Sequence, residues 1–206
     1  MDIELIKRKY HRNAFFYDFV TQAFSRIRSL AIAQLGLKPG EIVLDFGCGT
    51  GLSFALIEQF IGPQGKIIGV DLSPAMLAQA QEKMAHQKWE NITLIEANAE
   101  EVELPPESVD AVFSFYTHDI MSSRRAVERA VRTLRSAGRF TVAGSRLVGG
   151  ARGWLLDRVT LAYTQAAITR PLTVRPWRNL EDVLGPLKVH EHLLGSSYIA
   201  YGVKVS

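Results

Sequence analysis

Cysteine is almost absent from this chain. Cys48 is the single one, so neither an internal disulfide nor a cysteine-based zinc site can form. Long apolar runs are absent too; none approaches the roughly 20 residues a spanning helix needs. The opening Met1-Asp2-Ile3-Glu4 lacks the cationic start and apolar stretch of a secretory leader, so the expected location is cytoplasmic. There is no internal repeat and no low-complexity tract. Basic residues are not interleaved with stacking aromatics and no nucleic-acid module is visible, which argues against nucleic acid as a partner. What remains is ordinary globular composition: 206 residues, 47% apolar and 22% charged, with a net charge of +3. That length suits a single domain, here residues 1–206, with a layered core.

The pattern along the chain then selects the architecture. Phe16, Phe19, Val20, Ala23, Phe24, Ile27, Leu30 and Ala31 recur at three-and-four spacing, predicting an amphipathic helix that Gly36, Pro39 and Gly40 terminate. Strands are expected at residues 42–46, 65–70, 92–96, 109–115 and 139–143. Helices are expected at 52–61, from Ser73-Pro74 to about His86, and as a basic helix at 122–136. Strands alternating with helices of this length imply right-handed crossovers and a parallel sheet. Beyond residue 150 the pattern changes: a helix at 154–169, a loop bounded by Pro171 and Pro176, a short helix at 180–184, and strands at 187–194 and 198–205. Gly195-Ser196-Ser197 is too short for a parallel crossover, so the last two strands should be antiparallel neighbours.

The most informative stretch is Val43-Leu44-Asp45-Phe46-Gly47-Cys48-Gly49-Thr50-Gly51. A buried strand runs into a carboxylate and three alternate glycines, which brings bare backbone against a ligand at the strand's end. A dinucleotide fingerprint would need a third glycine where Leu52 stands, which argues against a nicotinamide-dependent oxidoreductase. An acid two residues before the first glycine suits a ligand carrying an ammonium group. Cys48, between two glycines, reads as a small side chain tucked under the turn.

These nine residues resemble the first motif of class I S-adenosylmethionine-dependent methyltransferases. The resemblance implies a Rossmann-like, seven-stranded, mostly parallel α/β sheet with one antiparallel strand, helices on both faces and a helical N-terminal lid over residues 1–36. It also implies S-adenosyl-L-methionine as cofactor, S-adenosyl-L-homocysteine as product, and a cofactor site assembled at successive strand ends. Asp45, Gly47 and Gly49 would meet the amino-acid head. Asp71, closing the second strand, would accept the ribose hydroxyls, with Leu72 and Met76 flanking the adenine. Asn98 and Ala99, past the third strand, would reach the adenine edge, and Ser114 and Phe115 would lie beneath the sulfonium. Taken singly, an Asp or Asn after a strand is also an ordinary turn former.

Tyr10-His11-Arg12-Asn13-Ala14-Phe15-Phe16-Tyr17-Asp18 is similar to the opening of the ubiquinone/menaquinone biosynthesis methyltransferases, with His11 in place of an Asp. Bacterial phosphatidylethanolamine N-methyltransferases share such an opening, and Arg175-Pro176-Trp177 faintly resembles those enzymes as well. The acceptor implied is a small or lipid-like molecule bearing an amine, hydroxyl or activated ring carbon. His118, in Phe115-Tyr116-Thr117-His118-Asp119, is the candidate base, with Asp119 to orient it and Tyr17 as its catalytic companion; Tyr10 is assigned to the cofactor. The segment 154–163 with Trp177, within an expected insertion at 150–185, offers lining for an apolar acceptor or ordinary packing. Arg124, Arg125, Arg129, Arg132, Arg135 and Arg139 form either a solvated face or, with the basic residues at 7–12, a peripheral contact for anionic membrane. A protein that binds S-adenosylmethionine without turning it over stays open as an alternative.

Overall fold

The computed structural model describes residues 24–164 and 168–205; Tyr10 and Tyr17 lie outside the described residues. Seven strands form one sheet: β1 (Ile42–Phe46), β2 (Lys66–Asp71), β3 (Ile92–Glu96), β4 (Val109–Phe115), β5 (Leu134–Ser145), β6 (Lys188–His192) and β7 (Ser197–Val203). Their spatial order is β3-β2-β1-β4-β5-β7-β6. Pairing is parallel from β3 through β5, whereas β7 runs antiparallel to both β5 and β6. One reversed strand in a parallel sheet is the arrangement the short turn at Gly195 requires. A single 3₁₀ turn at Leu193–Gly195 makes the link.

Two cores fill the two faces. On one, α1 (Ser25–Ala33), α2 (Phe54–Ile61) and α3 (Pro74–Gln87) cover Val43, Ile67, Ala111, Phe113 and Ala143. On the other, α5 (Arg124–Thr133) and α7 (Arg178–Leu184) cover Leu44, Phe46, Val112, Phe140 and Val142, beside the single turn α4 (His118–Met121). Neighbours such as Val43 and Leu44 point to opposite cores, which is why these strands read as continuous apolar runs. Ser73 caps α3, its Oγ accepting from the Met76 amide, and Pro74 opens the first turn.

Several boundaries depart from expectation for identifiable reasons. Ala31, Ile32 and Leu35 are fully buried, so residues 25–35 belong to a core layer rather than to a lid. Arg28 faces inward there while Leu30 is exposed, the reverse of the apolar periodicity. The basic helix stops at Thr133, not residue 136, because Leu134 turns extended and pairs with Val109. The chain then bulges at positive-φ Ala137 and resumes pairing at Arg139 with Ala111. Finally, α6 (Gly150–Thr164) begins four residues before the expected helix.

Candidate cofactor site at the strand ends

Strand order reverses between β1 and β4, and open α/β sheets hold ligands in the crevice outside such a switch point. A cleft lies there, lined by Arg28, Asp45, Gly47, Cys48, Gly49, Thr50, Leu52, Ser53 and Phe115. Its floor follows from the glycine turn. Gly47, Gly49 and Gly51 all take positive φ, and the amides of Gly47 and Cys48 donate to the Val70 carbonyl at 2.8 and 3.0 Å. The turn is thereby folded across the end of β2. A Cβ at position 47 would collide with Thr117 Cγ2, so the site needs glycine for space as well as for φ.

Asp45 is the site's chemical centre. It is 1% exposed, and its Oδ2 has no hydrogen-bond partner among the described residues. Burial pushes its carboxyl up to about 7, against a partial opposing pull from the Arg28 guanidinium. A buried acceptor of this kind is costly unless a donor arrives. An ammonium is the donor that would both satisfy it and restore its charge, so the residues fit a cofactor with an amino-acid head. Asp71 ends β2 as expected. Its Oδ2 accepts from the Gly49 amide at 2.8 Å and its Oδ1 from Ser73 at 2.9 Å, so the carboxylate also ties the glycine turn to α3. Each oxygen keeps a second lone pair for a diol.

Asn98 uses Oδ1 in an Asx-turn to the Glu100 amide, and Ala97 donates to the Asp71 carbonyl, which sets Asn98 close to the end of β2. The Ala99 methyl is packed in a core, so only its backbone is available to a ligand. Leu72 is half-buried, and Met76 is buried in the first turn of α3. Ser114 takes a different task from the one expected: fully buried, its hydroxyl donates to the Phe46 carbonyl and pairs with Thr117 Oγ1, both at 2.6 Å. It locks the ends of β1 and β4 together. Phe115 lines the cleft, with the Arg28 guanidinium 4.5 Å from its ring centroid. The Cys48 thiol is pushed well up by burial and stays neutral.

His118 opens α4 with Nε2 3.0 Å from the Pro171 carbonyl. A carbonyl cannot donate, so Nε2 carries the proton and Nδ1 is left as an acceptor, buried and without a partner among the described residues. Burial lowers the His118 pKa, outweighing the opposite pull of the Pro171 contact and of Asp119. Asp119 does not orient His118. Its oxygens accept from the Thr169 amide and hydroxyl and from the Arg170 amide, clasping the loop that carries Pro171. Trp177 is also not lining: it is buried in the core against Tyr198, ring centroids 4.9 Å apart.

Sequence reasoning missed Arg28 and Tyr116. The first is a charge inside an apolar period. The second takes φ +57 at the end of β4, an unusual conformation for an aromatic residue, and packs on Phe24 and Phe115. Neither left a local signal.

Residues 43–138 match the family described as "Methyltransferase domain". An arsenite methyltransferase of Halobacterium salinarum is 33% identical over 112 residues, covering 54% of this chain and 29% of that protein. A demethylmenaquinone methyltransferase of Symbiobacterium thermophilum is 33% identical over 111 residues, covering 53% of this chain and 44% of that protein. The chain thus spans less than half the length of these curated relatives. In fold it is similar to a Haemonchus contortus phosphoethanolamine N-methyltransferase, with a TM-score of 0.76 at 18% identity over 98% of this chain and 59% of that one. It is likewise similar to the geranyl diphosphate C-methyltransferase of Streptomyces coelicolor, with a TM-score of 0.72 at 14% identity over 96% and 84%. In the glycine turn, the unsatisfied acid and this strand order on one sheet, as in the match over residues 43–138, the domain is similar to the class I S-adenosylmethionine-dependent methyltransferases.

Proposed function

We propose that this protein transfers a methyl group from S-adenosylmethionine to a small-molecule or lipid-like acceptor. The observation that carries the proposal is Asp45: a buried carboxylate oxygen with no hydrogen-bond partner among the described residues, set in a glycine cradle at the sheet's switch point. When bound, the cofactor supplies a methyl group already activated on a sulfonium. The chain's residues then have positioning tasks. Asp45 with the Gly47–Gly49 backbone takes the amino-acid head, and Asp71 takes the ribose hydroxyls. Asn98 addresses the adenine edge, Leu72 and Met76 flank the ring, and Phe115 floors the cleft and keeps water out. His118, its Nε2 proton held by Pro171, presents Nδ1 to accept a proton from an acceptor that must lose one. Tyr17 as companion to His118 and Tyr10 as a cofactor contact remain expectations, since both lie outside the described residues.

A lipid-like acceptor is favoured by the outer surface of α6. Trp154, Leu155 and Val159 are exposed on that helix, while Asp157 turns inward to accept from the Val148 and Gly149 amides. No helix among the described residues is long and apolar enough to cross a membrane, so contact with lipid would be peripheral.

The decisive experiment incubates the protein with methyl-labelled cofactor and fractionated cell extract. Label in a lipid or small-metabolite fraction is the expected result. Tight S-adenosylhomocysteine binding with no label in any fraction would leave a binding protein without turnover. Thermal stabilisation by NADH but not by S-adenosylhomocysteine would instead return the oxidoreductase reading.

A further inference from the structure

Leu193 and Leu194 stand where hydration and backbone sterics both disfavour them. They form the corner between β6 and β7, 53% and 84% exposed, with φ of +49 and +58, and Gly195 follows at +92. Glycine enters the left-handed region freely; two successive leucines there are strained, and strain of this kind gathers at ligand-contacting segments. The turn is nonetheless fastened. The Ser196 amide and hydroxyl both donate to the Leu193 carbonyl, at 3.1 and 2.8 Å. Its geometry holds outward two leucines that the core does not bury.

The corner belongs to a larger face. Ser145 at the end of β5 pairs with Ser197 at the start of β7. The corner and α6, which follows β5, therefore both lie at the carboxyl end of the parallel strands, where the cleft opens. Val148 joins them: a Cβ at Gly195 would stand 3.6 Å from its Cγ2, and one at Gly153, in the first turn of α6, 3.2 Å from its Cβ. Of the ten large apolar side chains exposed among the described residues, six stand on these segments: Trp154, Leu155, Val159, Val174 and the two leucines. The chain around them is cationic. From Arg146 to Arg178 it carries six arginines and one acid, Asp157, which is turned in to the Val148 and Gly149 amides. Glu191, Glu100, Glu181 and Asp182 answer four of those arginines. Exposed Arg158, over the Trp154 ring, has no acid partner among the described residues.

An apolar face with a cationic rim suits a bilayer bearing anionic lipid: leucine and tryptophan enter the acyl boundary while arginine stays at the headgroups. A second copy would bring the same cations against themselves. We infer that the Leu193–Leu194 corner is a membrane anchor that acts with α6 and docks the protein with its strand-end cleft towards the lipid surface. α6 alone offers one line of contact; the corner, on a separate element, makes that line a face and fixes which end of the sheet meets the bilayer. The inference rests on the reading of a lipid-like acceptor and names the surface from which that acceptor would be taken.

The test is Leu193→Asn combined with Leu194→Asn, because asparagine tolerates left-handed backbone and both side chains already face solvent. Sedimentation with vesicles of equal parts phosphatidylcholine and phosphatidylglycerol should show the partition coefficient falling about 10-fold or more, as expected for withdrawing two leucines from an apolar phase. Without lipid, the Tm of the double variant should rise by about 2 to 4 °C as the strain is relieved. Undiminished vesicle binding by the variant, or a lowered Tm, overturns the inference. So does a parent that binds no vesicles, or one that dimerises in solution while the variant is monomeric, which gives the face to a second copy. S-adenosylhomocysteine affinity, expected within about threefold of the parent in the variant because the corner is outside the cleft, keeps the two readings apart. A parent that binds vesicles but no S-adenosylhomocysteine keeps this surface and loses the methyltransferase reading.

Discussion

Asp45 carries a carboxylate where water does not reach, and its ionisation is coupled to both folding and binding. An unfolded aspartate titrates near pH 4, whereas this one is raised to about 7. Between those values the native state holds the proton more tightly than the unfolded chain does. Stability of the ligand-free protein therefore falls as pH rises from about 4 to 7, by roughly 4 kcal/mol in all, because one pKa unit is worth about 1.4 kcal/mol. Asp45→Asn, which has no charge to bury, should flatten that decline in urea denaturation curves taken across the range. Binding reverses the shift, since an arriving ammonium favours the ionised acid. Calorimetry at pH 6 in buffers of different ionisation enthalpy should show release of close to one proton per S-adenosylhomocysteine, fading above pH 8. Absence of proton release at pH 6 would mean that the ligand's ammonium does not meet Asp45.

Gly47 supplies a second residue-scale prediction. Gly47→Ala forces a methyl group into positive φ and against Thr117 Cγ2, with expected destabilisation of about 2 kcal/mol or more. Adding Thr117→Ser removes that methyl but keeps the hydroxyl bonded to Ser114, so thermal denaturation should show part of the loss recovered. Both residues of this argument were legible in unequal measure. Asp45 and the glycines could be read because one contiguous turn holds them. Arg28 could not, because helical periodicity treats a buried charge as an error and nothing near it in sequence names Asp45 or Phe115 as its neighbours.

At the scale of elements, β1, β3 and β4 occupy the residues expected of them; β1 and β4, buried on both faces, declare themselves in their own apolar runs. The end of α5 was not legible: Leu134 is as good a helix residue as a strand residue, and only its pairing with Val109 decides. Long-range clasps were invisible for the same reason. Asp119 stands next to His118 in sequence, which suggested a His–Asp pair, yet its partners lie some fifty residues away at Thr169 and Arg170. Arg170 in turn reaches the Glu100 carboxylate at 3.0 Å and the Ser122 carbonyl, so the loop after α6 is tied both to the turn after Asn98 and to the end of α4. Asp119→Ala should free this loop. Amide hydrogen exchange at Thr169 and Arg170 is expected to accelerate about tenfold or more, given the worth of hydrogen bonds to a charged acceptor. Unchanged protection at both amides would show that the clasp does not hold the loop.

At the scale of the whole molecule, charge and apolar surface are distributed differently from what composition suggested. Of the six arginines crowding α5 and the following turn, Arg124, Arg129, Arg135 and Arg139 are matched by Glu128, Glu103, Asp110 and Glu41. The field of that cluster is largely compensated, which weakens it as an electrostatic dock. α6 is the opposite case. Gly153, Thr160 and Thr164 face inward while Trp154 and Leu155 are 67% and 63% exposed, so the helix turns its apolar side outward, and Arg158 lies over the Trp154 ring. An apolar stripe with a tryptophan and an arginine is suited to the boundary between lipid headgroups and acyl chains. If the proposed acceptor is lipid-like, attachment should therefore run through α6 rather than α5. The protein is expected to sediment with vesicles containing anionic phospholipid. Trp154→Ser with Leu155→Ser should leave most of it in the supernatant, while Arg125→Ala with Arg132→Ala should change the bound fraction little. Because burial of apolar side chains would dominate over pairing of charges, raising the salt should reduce the bound fraction only modestly. A parent protein that stays wholly in the supernatant at low salt would remove lipid contact from the account and leave a dissolved small molecule as the acceptor.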